Sequence, residues 1–156
     1  MIQRIQSLYL LIATALMGLA LILPIATFTS STDVVYTLSA FSLSTDAGSE
    51  SLSTIWMGIL MAAATVLPLV TLFMFKRRML QVRLCAVEIV LLLGCIAFEA
   101  IYYYLAGANA LEDVEIEHRQ FGWAAIMPII ALVLSAMAAR ATFKDEVMVR
   151  SFDRIR

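Results

Sequence analysis

The sequence predicts an all-α membrane protein: four antiparallel transmembrane helices in one domain over residues 1–156, both termini cytoplasmic, and a small extracytoplasmic loop element between helices 1 and 2. Three observations predict it. Hydrophobic residues make up 62% of the chain and the mean hydropathy is +0.92, where soluble domains carry roughly 45–50% apolar residues. Four apolar stretches, at about residues 8–28, 54–75, 84–105 and 121–139, match the ~20 residues a helix needs to cross a ~30 Å hydrocarbon core. Finally, positive charge is one-sided. Arg4, Lys76, Arg77, Arg78, Arg83, Arg140, Lys144, Arg150, Arg154 and Arg156 fall on one side of the four spans, and only Arg119 falls on the other. Lys and Arg concentrate on the cytoplasmic side of membrane proteins, so both termini are expected inside. The same bias argues against insertion in both orientations.

The first span follows Arg4. It is longer than the ~7–15 apolar residues of a secretory signal, and no small-x-small cleavage site follows, so an uncleaved helix is expected. Pro24 near its far end kinks or terminates it. Residues 29–53 are rich in Ser and Thr and hold Asp33, Asp46 and Glu50 but no Lys or Arg. Residues 34–43 carry strand-favouring Val, Tyr, Thr and Phe, and Gly48 marks a turn-like patch. A hairpin and an irregular loop fit this segment equally well. The second span begins at Trp56 and contains Pro68. Its Gly58 and Ala62 form a small-xxx-small pair of the kind that lets helices approach closely in lipid. The basic connection 76–83 is short, so spans two and three form an antiparallel hairpin; anionic lipid is a further expected contact for it. Span three ends in Tyr102, Tyr103 and Tyr104, an interfacial aromatic cluster. Residues 106–120 read as an acidic loop. The fourth span starts near Trp123, contains Pro128, and aligns Ala131, Ser135 and Ala139 on one face. The tail 140–156 continues the helix, with Ala141, Met148, Phe152 and Ile155 as an apolar stripe facing the membrane surface or a partner.

Span three alone carries charge within it, Glu88 and Glu99 with no Lys or Arg between them. Eleven residues at 100° each is three turns plus roughly 20°, so the two share a face. Cys95 lies on that face too, and the glutamates are about 16 Å apart in depth. Ionisable residues inside spans are functional candidates by default, which makes Glu88, Glu99 and Cys95 a candidate intramembrane polar site. One reading is a proton or cation relay. The plainer reading is that each carboxyl ties helices together, through Thr14, Thr65, Thr71, Ser135 or a tyrosine; Glu88 could instead lean toward Arg83 or Arg78. The plainer reading is preferred for both.

Other chemistry is weakly signalled. Cys85 and Cys95 lie ten residues apart on one helix, about 15 Å, beyond the roughly 7 Å a disulfide tolerates. Without a CxxC pair they read as buried small hydrophobes. His118 with Glu115 and Glu117 is a poor metal signature and reads as solvated charge. No glycine-rich phosphate loop, nucleophile elbow or zinc-protease motif occurs. No catalytic residue, metal site or cofactor is therefore expected. The expected partners are the lipid bilayer and other membrane proteins or further copies of the chain, with no nucleic acid.

The two ends, MIQRIQSLYLL at 1–11 and KDEVMVRSFDRIR at 144–156, resemble an uncharacterised family of bacterial four-helix inner-membrane proteins, known only as a domain of unknown function. The resemblance covers the whole chain in length and span order. It implies a multi-pass protein of the bacterial inner membrane and supplies no catalytic residue. Both distinctive ends fall on the cytoplasmic side by the charge count, which makes Arg4, Lys144, Arg150, Asp153 and Arg154 a candidate docking surface. The function expected is a non-enzymatic accessory or scaffold subunit of a membrane assembly; the alternative is a small transporter or proton or cation conduit using Glu99 and Glu88. Small drug exporters carry their membrane glutamate in the first span. Membrane thiol oxidoreductases need paired outer cysteines, and claudin-like modules need cysteines in the first outer loop. This chain has none of these features.

Overall fold

The computed structural model describes residues 2–31, 34–45, 50–74, 78–106 and 116–153. The chain runs α1 (Ile2–Ile22), β1 (Ala26–Ser30), β2 (Val35–Leu38), β3 (Ser42–Thr45), β4 (Glu50–Ser53), α2 (Ile55–Phe73), α3 (Arg78–Leu105), β5 (Ile116–Phe121), a single 3-10 turn (Trp123–Ile126) and α4 (Met127–Asp153). The turn expected around Gly48, the basic residues Lys76 and Arg77, the acidic run at 112–115 and residues 154–156 lie outside the described part.

Four helices are long and apolar enough to cross a membrane. They pack as a ring, with α1 on α2, α2 on α3, α3 on α4 and α4 back on α1. Each buries one narrow seam. In α1 it is Gln6, Leu10, Ala13, Met17 and Ala20; in α2 it is Met57, Met61, Ala64, Pro68 and Thr71. In α3 it is Gln81, Cys85, Glu88, Leu92, Cys95 and Glu99; in α4 it is Pro128, Ala131, Ser135, Ala138 and Thr142. Spacings alternate between three and four, the 3.5-residue period of knobs-into-holes packing. Only 28–33% of each apolar window is buried. The outward remainder, including Leu11, Leu19, Val66, Val90, Leu93 and Val133, is apolar as well. A water-soluble bundle places polar side chains there. Outer faces that are also apolar are what helices able to cross a membrane carry.

Lipid offers no hydrogen bonds, so polar groups must be satisfied internally. Thr14, Thr65, Thr71 and Thr142 each donate to the carbonyl four residues earlier, at 2.8–2.9 Å. Thr14, Thr65 and Thr71 therefore give their hydroxyl protons to their own helices and not to the α3 glutamates.

The expected all-α architecture needs one correction. The end of the bundle opposite the termini carries a five-stranded antiparallel sheet, ordered β4-β3-β2-β1-β5. Strand β1 comes from residues whose apolarity reads as the end of span one. Pro24 has no N–H and fixes its own φ, and α1 stops at Ile22. The chain then turns extended, burying Ala26, Phe28 and Ser30 alternately. The expected acidic loop supplies β5, which pairs with β1 from Ala26↔Phe121 to Ser30↔Ile116 across nearly a hundred residues of chain. The inner face of the sheet packs onto the bundle through Phe28, Leu38 and Leu43. Tyr103 holds the junction, its ring 5.3 Å from Phe28 and stacked at 4.4 Å on Phe121, while Tyr104 remains 73% exposed.

Two glycines fasten sheet to helices. A Cβ at Gly58 would lie 2.4 Å from the Phe41 ring and 2.9 Å from the Ala40 carbonyl oxygen. Its smallness therefore admits the β2–β3 turn, not a neighbouring helix as the small-xxx-small pattern predicted. At Gly122 a Cβ would stand 2.1 Å from the Pro24 carbonyl oxygen, and the Gly122 N–H donates to the Ile25 carbonyl at 2.8 Å. The entry to β1 and the exit of β5 cross at backbone contact, and only glycine fits. Gly122→Ala is expected to lower stability by about 1–3 kcal/mol through overpacking, read as a lower Tm in detergent. Gly18→Ala, whose Cβ meets only Thr65 at 3.9 Å, is expected to be neutral or mildly stabilising, because alanine is the better helix former.

Candidate functional site

All three residues of the candidate intramembrane site occupy the buried seam of α3. Glu88 and Cys95 are 0% exposed and Glu99 is 7% exposed. Helical spacing alone puts them there: the seam recurs at 81, 85, 88, 92, 95 and 99, and the glutamates take two of those places.

Glu88 is tied across the bundle. The Ser135 hydroxyl on α4 donates to Glu88 Oε1 at 2.5 Å, both residues being fully buried. Arg83 is exposed on the same helix, so the carboxyl is turned inward, away from that cation. Its second oxygen, Oε2, has no hydrogen-bond partner among the described residues, and neither does Glu99 Oε1. Among the described residues no basic side chain is buried. The two cysteines are free and buried. Cys85 lies in electrostatic reach of Glu88, and Cys95 in that of Glu99.

Seam positions stack into layers when counted from the α2–α3 connection. Nearest the termini, Gln6, Thr71, Gln81 and Thr142 form a polar layer. Leu10, Cys85 and Ala138 pack together next. Glu88 and Ser135 then share a layer with Ala13 and Ala64, whose small side chains leave room for a carboxyl group. Met17, Met61, Leu92 and Ala131 follow, all fully buried in the main apolar core. Cys95, Met57 and Ala20 come next in the same core, and Glu99 lies beyond them. The two glutamates share a face but not a site. Apolar layers fill the about 16 Å between them.

The candidate docking surface is only partly described. Arg4 lies on α1, and Arg150 and Asp153 lie on α4, while Arg154 is outside the described residues. The two helices meet there, since Gln6 Nε2 donates to Asp145 Oδ2 at 3.2 Å. Lys144 is exposed and lines a surface hollow with Phe143, Val147 and Met148. The exposed apolar face of the α4 extension thus runs through 143 and 147 as well as the expected 148. At the sheet end, Glu117 and His118 are exposed on β5, and Glu115 lies outside the described residues. No group of three or more His, Cys, Asp or Glu converges among the described residues.

Sequence reasoning missed Gln6 and Gln81, two buried glutamines at the termini end. Their signal was present, since each lies one turn before a seam residue, Leu10 or Cys85, at the spacing the rest of the seam repeats.

If Ser135 holds Glu88, its removal strands a buried acceptor. Ser135→Ala is expected to cost about 1–3 kcal/mol. The same substitution in a Glu88→Met background is expected to cost well under half as much, because no carboxyl is left to satisfy. A double-mutant cycle on thermal unfolding in detergent measures that coupling, and equal costs in both backgrounds would contradict the tie.

No curated protein matches the chain. A family model described as "Domain of unknown function (DUF4293)" matches residues 2–155, which include both distinctive ends, the four helices and all five strands. The chain belongs to the DUF4293 family, a domain of unknown function.

Proposed function

We propose that this protein is a multi-pass component of the bacterial inner membrane, N-in and C-in, that serves as a non-enzymatic accessory or scaffold subunit of a membrane assembly. The observation that carries this reading is the use α3 makes of its glutamates. Glu88 spends one oxygen on Ser135 of the neighbouring helix, as a packing tie does. Proton hops need groups within hydrogen-bond reach of about 3 Å, and between Glu88 and Glu99 two successive buried layers, Met17, Met61, Leu92 and Ala131 and then Ala20, Met57 and Cys95, stand in the way of such a chain. What is left for partners is at the two ends: a sheet on one, and on the other the paired ends of α1 and α4 with exposed Phe143, Lys144, Val147 and Met148. The orientation rests on charge. Arg83, Arg140 and Lys144 are exposed toward the termini end and Arg119 alone toward the sheet end, as the positive-inside tendency requires of a cytoplasmic N- and C-terminus. The outward-facing sides of all four spans meet lipid.

The second reading is a small transporter or proton or cation conduit. It is favoured by two buried carboxyl oxygens, Glu88 Oε2 and Glu99 Oε1, that have no hydrogen-bond partner among the described residues. Reconstitution into liposomes under a pH gradient separates the two. The scaffold reading expects flux no greater than in protein-free vesicles, unchanged by Glu88→Gln or Glu99→Gln. A flux that either substitution abolishes, in a protein that still folds, overturns it. Deleting residues 144–156 is expected to remove the proteins that co-purify from native membranes; an unchanged set removes the docking role of that end.

A further inference from the structure

We propose that Glu88 is a proton-binding site in contact with one end of the bundle only, the end that carries the termini. This goes beyond the scaffold reading and does not depend on it, since a site open to one side carries no flux.

The geometry is asymmetric about Glu88. Toward the termini one layer, Leu10, Cys85 and Ala138 with Tyr9, Leu72 and Ala139 packed against it and the buried Pro68 of α2, separates it from four buried polar residues. Of these, Gln81 is 5% exposed and Gln6 is 3% exposed. Gln6 is hydrogen-bonded to the half-buried Asp145. Thr71 and Thr142 give their hydroxyl protons to their own helices and so keep oxygen lone pairs for an incoming donor. The step from Gln81 to Glu88 is about 10 Å along the helix. In the other direction lie two successive apolar layers containing three methionines and a leucine. The site itself is built for one small cation. It has one carboxyl, a serine hydroxyl on Oε1 and a buried Oε2 without a hydrogen-bond partner among the described residues, beside the small side chains Ala13 and Ala64. Three oxygens are too few for an alkali ion, which needs about six, as magnesium and calcium sites do. A proton needs only Oε2. The charged or titratable groups near it are few. On α3 there is Cys85; on α1, Tyr9 beside the Leu10 layer; on α4, Asp145 at the mouth. The buried seam of α2 presents none.

The test uses N,N′-dicyclohexylcarbodiimide, a lipid-soluble reagent that adds to a protonated carboxyl. The acid proton passes to a carbodiimide nitrogen, the carboxylate oxygen bonds to the central carbon, and the adduct rearranges to a stable acylurea with no leaving group. The full chain carrying Glu99→Gln is reconstituted in vesicles of one orientation, and labelling at Glu88 is read by mass spectrometry while the pH of each side is varied independently. Labelling is expected to fall about tenfold per pH unit on the alkaline side of the midpoint when the termini side is made alkaline, and to ignore the sheet side. Gln81→Leu, which makes the mouth apolar, is expected to slow the response to a pH jump without moving its end point. A response to the sheet side, an equal response to both sides, or labelling insensitive to either overturns the proposal. So does failure to label Glu88 in protein whose helix content and Tm match the unsubstituted chain.

Discussion

The bundle depends on how little of each helix it can bury. A helix in lipid gains nothing from hiding apolar surface that lipid already covers, so the four helices meet along seams about two residues wide in seven. At those few positions packing and hydrogen bonding must supply cohesion. Small residues dominate α4, where Ala131, Ser135 and Ala138 let neighbours close in. Against that background one Glu88–Ser135 pair is a large share of the polar cohesion available, and its place beside Ala13 and Ala64 is set by the same seam period as theirs.

The sheet solves a different problem. It covers the end of the bundle opposite the termini, where the aromatic end of α3 would otherwise be open. Phe28, Tyr103 and Phe121 stack across the junction, and Gly122 brings the two crossing backbones into contact. A small sheet has two edges that invite pairing with other chains. Here the outermost ladder on each side has a register shift, between Leu43 and Ser44 and between Thr29 and Ser30. Strand β5 adds exposed Glu117, His118 and Arg119. Bulges and charges are the usual protection of such edges, so the sheet reads as a cap. The lone cation on this side, Arg119, sits on that edge strand.

Much of the fold was legible because hydropathy and the 3.5-residue seam are local properties. The four helices, the continuation of α4 beyond its span and the common face of Glu88, Cys95 and Glu99 follow from spacing alone. The strand-favouring run at 34–43 does hold β2, paired with β3 as a hairpin, but β1 and β5 were not legible, for two separate reasons. Ala26 and Phe28 are as apolar as the helix before them, so hydropathy runs past the end that Pro24 imposes. Strand β5, IEHRQF, has no alternating pattern because both its faces are exposed; it is a strand only because β1 pairs with it. Gly58 misled for a related reason, since its smallness serves a loop that folds back from a distant segment.

The sequence by itself determined that the chain has four membrane-capable helices, and it placed two carboxyls on one face of the third, because helical period and apolar length are properties of contiguous residues. Only the tertiary structure decided that the glutamates are separated by buried methionine and leucine layers, that Ser135 rather than a threonine meets Glu88, and that two loops ninety residues apart form one sheet. Those outcomes depend on which helix lies beside which, and on where a second strand supplies the hydrogen bonds that a lone extended segment lacks.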